Sequence, residues 1–368
     1  MDLVLYVEAH QPPVLRGEPP ARPESPWSLI DVEATRSLFE RALEQCYLPL
    51  LETLEELAPA GLKVGLRATG LLLEFAERWG GSLLELLSSL ISKGVVEPVA
   101  GPYFNALPAL LPAEELVEQV RLHQAKLREL FGLEAKVFAE PYLAYSDDVG
   151  QLVREKLGLR AALAEGAAQV LAWRTPHFVY RHPSVDLSIL VRDHRLSDEV
   201  AFGLGRWFTA AHFAERVSKV EGTTVLVAVP AETFGLFVPA GAGAFEFLSW
   251  LPKELSRHPW VRPALPSEAA AREPVDVLSV PQPVTWLETK DLRPLAESPT
   301  QRLLLALLAE AREAAAEAGA LDAWRLLTQA DYLLASRDPD AALRLARALC
   351  ALRGLAAREA PATSTAVP

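Results

Sequence analysis

The chain has 368 residues, half of them hydrophobic, and a formal net charge of −12. That length allows one large α/β domain plus a smaller unit with a sizeable core, and the acidic balance argues against nucleic acid or an anionic membrane, leaving a neutral partner. Cys46 and Cys350 stand far apart without a CxxC pair, so neither zinc nor a redox centre is indicated, and no metal or other cofactor is expected.

The opening "MDLVLYVEAHQPP" carries Asp2 and Glu8 around its apolar run and so lacks the basic end and long apolar core of a secretory signal. No run reaches transmembrane length, and a cytoplasmic location is the expectation. One Met, a single Asn at Asn105 and many prolines are compatible with a thermophile. Strands are predicted at Leu3–Val7, Leu62–Arg67, Val95–Val99, Ala135–Ala139, Arg160–Ala164, Leu187–Val191 and Thr223–Val229, with a shorter one near Val277–Val280. Amphipathic helices alternate with them, among them Val32–Leu57 and Pro112–Leu130, the latter opening on Pro, Ala, Glu, Glu. Seven or eight βα units imply a closed or nearly closed parallel barrel. A doubly wound sheet is the alternative, although no Gly-rich phosphate loop follows the first strand.

From about Glu268 the composition changes to a Pro-containing connection. Ala/Leu/Arg-rich segments of helical period follow at Thr300–Gly319, Leu321–Ala335 and Pro339–Leu352. The expected organisation is therefore a barrel over 1–267, a linker and helical unit over 268–357, and a disordered tail over 358–368, where Pro, Ser, Thr and Ala offer nothing to pack.

Candidate site residues cluster where predicted strands end. In "EAHQPP", His10 and Gln11 offer fixed donors and acceptors for sugar hydroxyls; a structural His before a proline turn fits equally well. Glu97 in "GVVEPVAGPYFNALP" falls inside a strand pattern and needs an Arg, a His or ligand hydroxyls as partner. "VFAEPYLAYSDD" supplies Glu140, then Tyr142 and Tyr145. Asp198 in "VRDHRLSDEV" contacts ligand on one reading and caps a solvated loop on another. Glu232 follows the end of "VLVAVPAETFGLF", where the strand tip is Pro230. Trp286 and Trp324 are candidates for stacking on sugar faces, against the commoner role of a lone Trp in a core. His177 and His182 do not have the i, i+4 spacing of a helical zinc pair.

Taken in order, these segments resemble glycoside hydrolase family 57, specifically its short α-amylase type, over about Asp2–Leu334. "HQP", "GVVEPVAGPYFNAL", "LAEGAAQVLAWRTPHFVYR", "RDHRLSDEVAF", "VPQPVTWLETKDL" and "WRLLTQADYL" all have counterparts there. The resemblance implies an incomplete (β/α)7 barrel with a helical bundle completing the cleft. It also implies a retaining mechanism on α-glucans (starch, glycogen, maltooligosaccharides), with a Glu nucleophile and an Asp acid/base. The family segment Asp-Tyr-Glu-Thr-Phe-Gly reads "PAETFG" here, which puts Pro230 at the acid/base position. The segment V-F-R-N-T-E-L-I-Y, aligned without gaps, puts Tyr142 at the nucleophile position, whereas a two-residue shift would put Glu140 there. A family Asp-His pair appears as Asp331-Tyr332. Two functional readings follow from the resemblance: an α-amylase-like protein that binds α-glucan after losing both catalytic groups, or an active hydrolase or 4-α-glucanotransferase using Glu140 and Glu232 as displaced carboxylates. A metal-dependent deacetylase on a similar barrel is a third, without a credible His/Asp ligand set.

Overall fold

The computed structural model describes residues 1–23, 25–107 and 110–356. The expected tail at 358–368 lies outside the described residues. Two compact units are formed, one by Met1–Gln11 with Ser37–Leu292, the other by Pro12–Arg36 with the chain from Arg293 onward.

In the first unit the strands are β1 Asp2–Ala9, β2 Val64–Ala68, β3 Val96–Pro98, β4 Val137–Phe138, β5 Ala161–Glu165, β6 Val179–Arg181, β7 Ser188–Arg192, β8 Thr224–Pro230, β9 Arg262–Pro263 and β10 Asp276–Val277. Parallel pairing runs β4, β5, β7, β8, β1, β2, β3. Just beyond β3, Ala100 bridges Phe138 of β4 in the parallel sense, so the two ends of the path meet. An open doubly wound sheet keeps its edge strands apart. β6 lies antiparallel to β7 and carries β10 on its other side. The sequence does not announce β6, because three residues are too few to display an alternation.

Period-2 alternation divides the side chains of this path. Val4 and Tyr6 of β1, Val137 of β4 with Ala139, Ala161 and Leu163 of β5, Leu190 of β7, and Leu226 and Ala228 of β8 form one buried cluster. The opposite phase, Leu5, Val7, Val227 and Val229, faces Leu50, Leu54, Val200, Phe247 and Leu248 of the covering helices. The β-branched and leucine-rich runs are buried on both faces, as crossover topology requires.

The predicted helix at 32–57 is Val32–Ala42, a π-helical turn at Leu43–Tyr47, and Leu48–Leu57. Among the described residues no helix is long and apolar enough to cross a membrane.

The unit boundary differs from the 267/268 expected from composition. β10 pairs with β6 and Val284 bridges Tyr145, so the Pro-rich stretch after Glu268 is sheet-bound and stays with the first unit. Pro12–Arg36 joins the helical unit instead: the Tyr332 hydroxyl donates to the Pro13 carbonyl at 2.8 Å and Arg344 donates to the Leu15 carbonyl at 2.8 Å. The longer helices of this unit include Pro299–Glu317, Leu321–Leu327, Ala330–Ala335 and Pro339–Ala356. The predicted helix at 321–335 is broken at Thr328 and Gln329, whose side chains hydrogen-bond the carbonyls of Arg325 and Leu326.

Candidate functional site

Following the inward phase of the strands toward their C-terminal ends, the apolar cluster gives way to charge. The next inward positions are Glu8 on β1, Arg67 on β2, Glu165 on β5, Arg192 on β7 and Pro230 on β8. Strand register decides who meets whom. Glu8 lies beside Arg67 on one side and Pro230 on the other, and Glu165 lies beside Arg192. The Arg67 guanidinium is completely buried, with Nη2 at 2.9 Å from Glu8 and at 2.7 Å from Asn105 Oδ1. Arg192 reaches Glu165 at 3.1 Å, Asp198 at 2.8 Å and the Ala228 carbonyl at 3.0 Å, and Lys290 closes on the other Glu165 oxygen at 3.0 Å. The buried carboxylates Glu8 and Glu165 thus each have a cationic partner, as charges removed from water require.

One side of this rim is built by the π-helical turn, which presents Cys46 and Tyr47 to the short turn after β8. Cys46 Sγ donates to the Ala231 carbonyl at 3.0 Å, and burial pushes its thiol far above the ordinary range, with the charge of Glu232 adding to the effect. The Tyr47 hydroxyl donates to Glu232 Oε1 at 3.1 Å and lies 3.4 Å from the His10 carbonyl. His10 Nδ1 in turn meets Thr69 Oγ1 at 2.9 Å. His10 and Glu232 therefore share one tyrosine, and half-buried Gln11 is next in the chain. π-turns of this kind recur at functional sites because the extra residue redirects side chains.

The other side is the turn after β4. Tyr142 has φ 57 and Leu143 φ 48, consecutive left-handed residues that are costly for side chains with a Cβ and characteristic of constrained functional loops. The segment 284–292 holds this turn: the Trp286 amide donates to the Tyr142 carbonyl at 2.8 Å, and their rings meet edge to face at 6.4 Å between centroids. Trp286 packs on the inward apolar cluster and has the Arg192 guanidinium 5.4 Å from its ring centre. Glu140, the residue before the turn, is 1% exposed, and its Oε1 has no hydrogen-bond partner. Burial pushes this carboxyl well above the usual range, with Arg67 as a weaker opposing influence.

Among the sequence candidates, His10, Glu232, Tyr142, Trp286, Asp198 and Pro230 belong to this rim or contact its members. Glu97 does not. It sits opposite Gly65 on β3, one inward step before the level of Arg67, and its carboxylate accepts from the Ser267 amide at 2.8 Å. Burial raises its pKa despite that bond. The strand pattern located Glu97 correctly, but only register and the helix Pro266–Ala270 reveal that its partner is a backbone amide. Trp324 is a core residue of the helical unit, 1% exposed, with its indole N–H donating to the Leu308 carbonyl at 2.8 Å, and it has no face for a sugar. Among the described residues no group of three or more His, Cys, Asp or Glu is arranged to hold a metal.

Glu8, Arg67, Glu165, Arg192, Tyr47 and Lys290 were not picked out by motif. A usable signal existed for four of them: extending the inward alternation of β1, β2, β5 and β7 by one step leads to Glu8, Arg67, Glu165 and Arg192.

The model of Glycosyl hydrolase family 57 matches residues 4–281. A curated Methanocaldococcus jannaschii protein, named "Putative alpha-amylase", is 30% identical over 302 residues, which cover 79% of this chain and 64% of that protein. The chain thus spans a little under two thirds of that relative's length. A GH57 branching enzyme from Thermococcus kodakaraensis superposes with a TM-score of 0.73 at 14% identity, covering 96% of this chain and 88% of that one. The 4-alpha-glucanotransferase of Thermococcus litoralis gives a TM-score of 0.65 at 19% identity, covering 89% of this chain and 48% of that one.

Proposed function

The chain belongs to glycosyl hydrolase family 57, and from that membership and the chemistry of the rim we propose that it holds α-glucan at the C-terminal ends of its parallel strands without hydrolysing it. On this reading the pairing path is an incomplete (β/α)7 barrel accompanied by a helical bundle, and the rim is the family's sugar cleft. Pro230 carries the proposal. It occupies the inward phase at the end of β8, beside Glu8 in register, and has no proton to donate to a leaving oxygen. Retaining hydrolysis needs a carboxylate nucleophile and a carboxylic acid about 5 to 5.5 Å apart. Tyr142 stands where the nucleophile is expected, and a phenol with an ordinary pKa of about 10 is a poor substitute at neutral pH. The groups suited to binding remain: His10, Gln11, Glu232, Asp198 and the Tyr142–Trp286 pair.

Use of Glu140 and Glu232 as displaced carboxylates fits less well. Glu140 is sealed from solvent and burial disfavours its charged form, the opposite of what an attacking carboxylate needs. The test is direct. Purified protein should be retarded in gels containing glycogen while releasing no reducing sugar from maltooligosaccharides, glycogen or starch. Turnover that Glu140→Gln abolishes would overturn the proposal, and absence of retardation with every α-glucan would remove its binding half.

A further inference from the structure

A second concave surface lies outside the segments that build the rim. The loop after the helix His194–Gly203 and the helix Ala244–Leu255 enclose a hollow of ≈ 520 Å³ lined by Arg206, Trp207, Trp250, Glu246 and Glu254 among others. Two indoles stand in it partly exposed, Trp207 at 57% and Trp250 at 45%. Isolated exposed apolar residues are ordinary, but two tryptophans in one hollow rimmed with polar groups mark a binding surface.

The hollow is held rigid. The amides of Arg206, Trp207 and Phe208 all point at the Gly203 carbonyl, at 3.2, 3.2 and 3.1 Å. A Cβ on Gly203 would come within 2.9 Å of Phe208 Cβ and 3.3 Å of Trp207 Cζ2, so the bare glycine leaves room for this loop to fold back on the helix end. Gly205 has φ +72, and its missing Cβ leaves room for the Ala242 carbonyl, which such a Cβ would approach to 2.6 Å. The Trp207 ring also rests on Phe208, edge to face at 5.4 Å. On the facing helix, Lys253 lies over the Trp250 ring at 4.4 Å and Glu254 pairs with Arg257 at 2.5 Å. Trp207 is thus fixed before any ligand arrives, and little conformational entropy remains to be lost on binding.

The chemistry of the hollow selects its ligand. Glu246 and Glu254 are balanced by Arg206, Lys253 and Arg257, so the hollow carries no strong surplus of either sign and offers both donors and acceptors to a neutral ligand. A neutral pyranose matches: its C–H face covers an indole, and its hydroxyls reach the carboxylates and the guanidinium. We propose that Trp207 and Trp250 form a second α-glucan site, separate in sequence from the rim, so that one long glucan chain engages both. This rests on the reading of the rim as a glucan cleft. Two linked engagements raise the effective concentration of the second, so a polymer is held more tightly than a short oligosaccharide.

Trp207→Ala removes an exposed ring and should leave the thermal midpoint unchanged, while lowering glycogen affinity about tenfold, the scale of a central aromatic anchor. Calorimetry with maltoheptaose should give two sites on the wild-type protein and one on Trp207→Ala. Equal retardation of Trp207→Ala and wild type, with unchanged stoichiometry, overturns the second site and leaves the rim reading intact. A wild-type protein that glycogen does not retard overturns both. A wild-type dimer that Trp207→Ala converts to monomer, with glycogen affinity unaltered, identifies the hollow as a self-association surface and overturns the proposal.

Discussion

Replacing Glu140 by Gln should stabilise the protein at neutral pH, and the reason lies in the position of this carboxyl. It is 1% exposed, its Oε1 has no partner, and the Arg67 guanidinium that influences it already pairs with Glu8 at 2.9 Å. Burial therefore dominates and raises the pKa in the folded state. An acid whose folded pKa lies above its unfolded value of about 4.3 takes up a proton on folding. Its contribution is most favourable at or below that unfolded value and is lost progressively as the pH rises toward the folded one. Each pH unit in that interval costs about 1.4 kcal/mol. Gln keeps the shape and has no proton to acquire, so it avoids this loss. Denaturant titrations from pH 4 to 8 should show Glu140→Gln close to wild type at the acid end and increasingly more stable above it. Each 1 kcal/mol should appear as roughly 1–2 °C in thermal midpoint. A variant less stable than wild type at pH 7, with a parallel pH profile, would refute the argument that burial raises the Glu140 pKa on folding.

Glu8→Ala should cost about 3–5 kcal/mol in urea unfolding, because it strands the fully buried Arg67 charge, and adding Arg67→Met should recover much of that loss. His123 is buried between the carbonyls of Ala68 and Gly101, and burial, with Arg67 nearby, lowers its pKa to about 4. A histidine depressed in this way contributes stability that is complete above its unfolded pKa of about 6.5 and is lost as the pH falls to the folded value, a change of about 3 kcal/mol. A His123→Gln variant should lose that slope between pH 6.5 and 4 in chemical denaturation. Trp324→Ala should destabilise the helical unit by about 3–5 kcal/mol, read by near-ultraviolet dichroism during unfolding, without lowering glycogen affinity. Glu97→Gln should likewise leave glycogen retardation unchanged, since the carboxylate serves the Ser267 amide rather than the rim.

The elements of this protein were legible in its sequence because they are set locally. Every predicted strand has an observed counterpart within a few residues, since a two-residue apolar alternation or a buried β-branched run has few other solutions. Six segments taken together and in order, from "HQP" to "WRLLTQADYL", carried the resemblance to the family, and Pro230 and Tyr142 already stood out as departures from its pattern. Partnership was not legible. Glu8 and Arg67 are 59 positions apart, as are His10 and Thr69, while 185 residues separate Tyr47 from Glu232. Which of them touch depends on strand register and on one π-helical turn. Glu97 and Trp324 were read as site residues because their types suit sugar binding, yet register gave Glu97 a backbone amide and packing gave Trp324 a carbonyl inside a core. The same applies to Glu140: its motif offers it as a nucleophile, and only enclosure by the fold raises its pKa and disfavours its charge. Local sequence determines the phase in which a side chain points, whereas the charge it carries and the partner it meets follow from what the remainder of the fold brings within a few ångströms and whether water is left beside it.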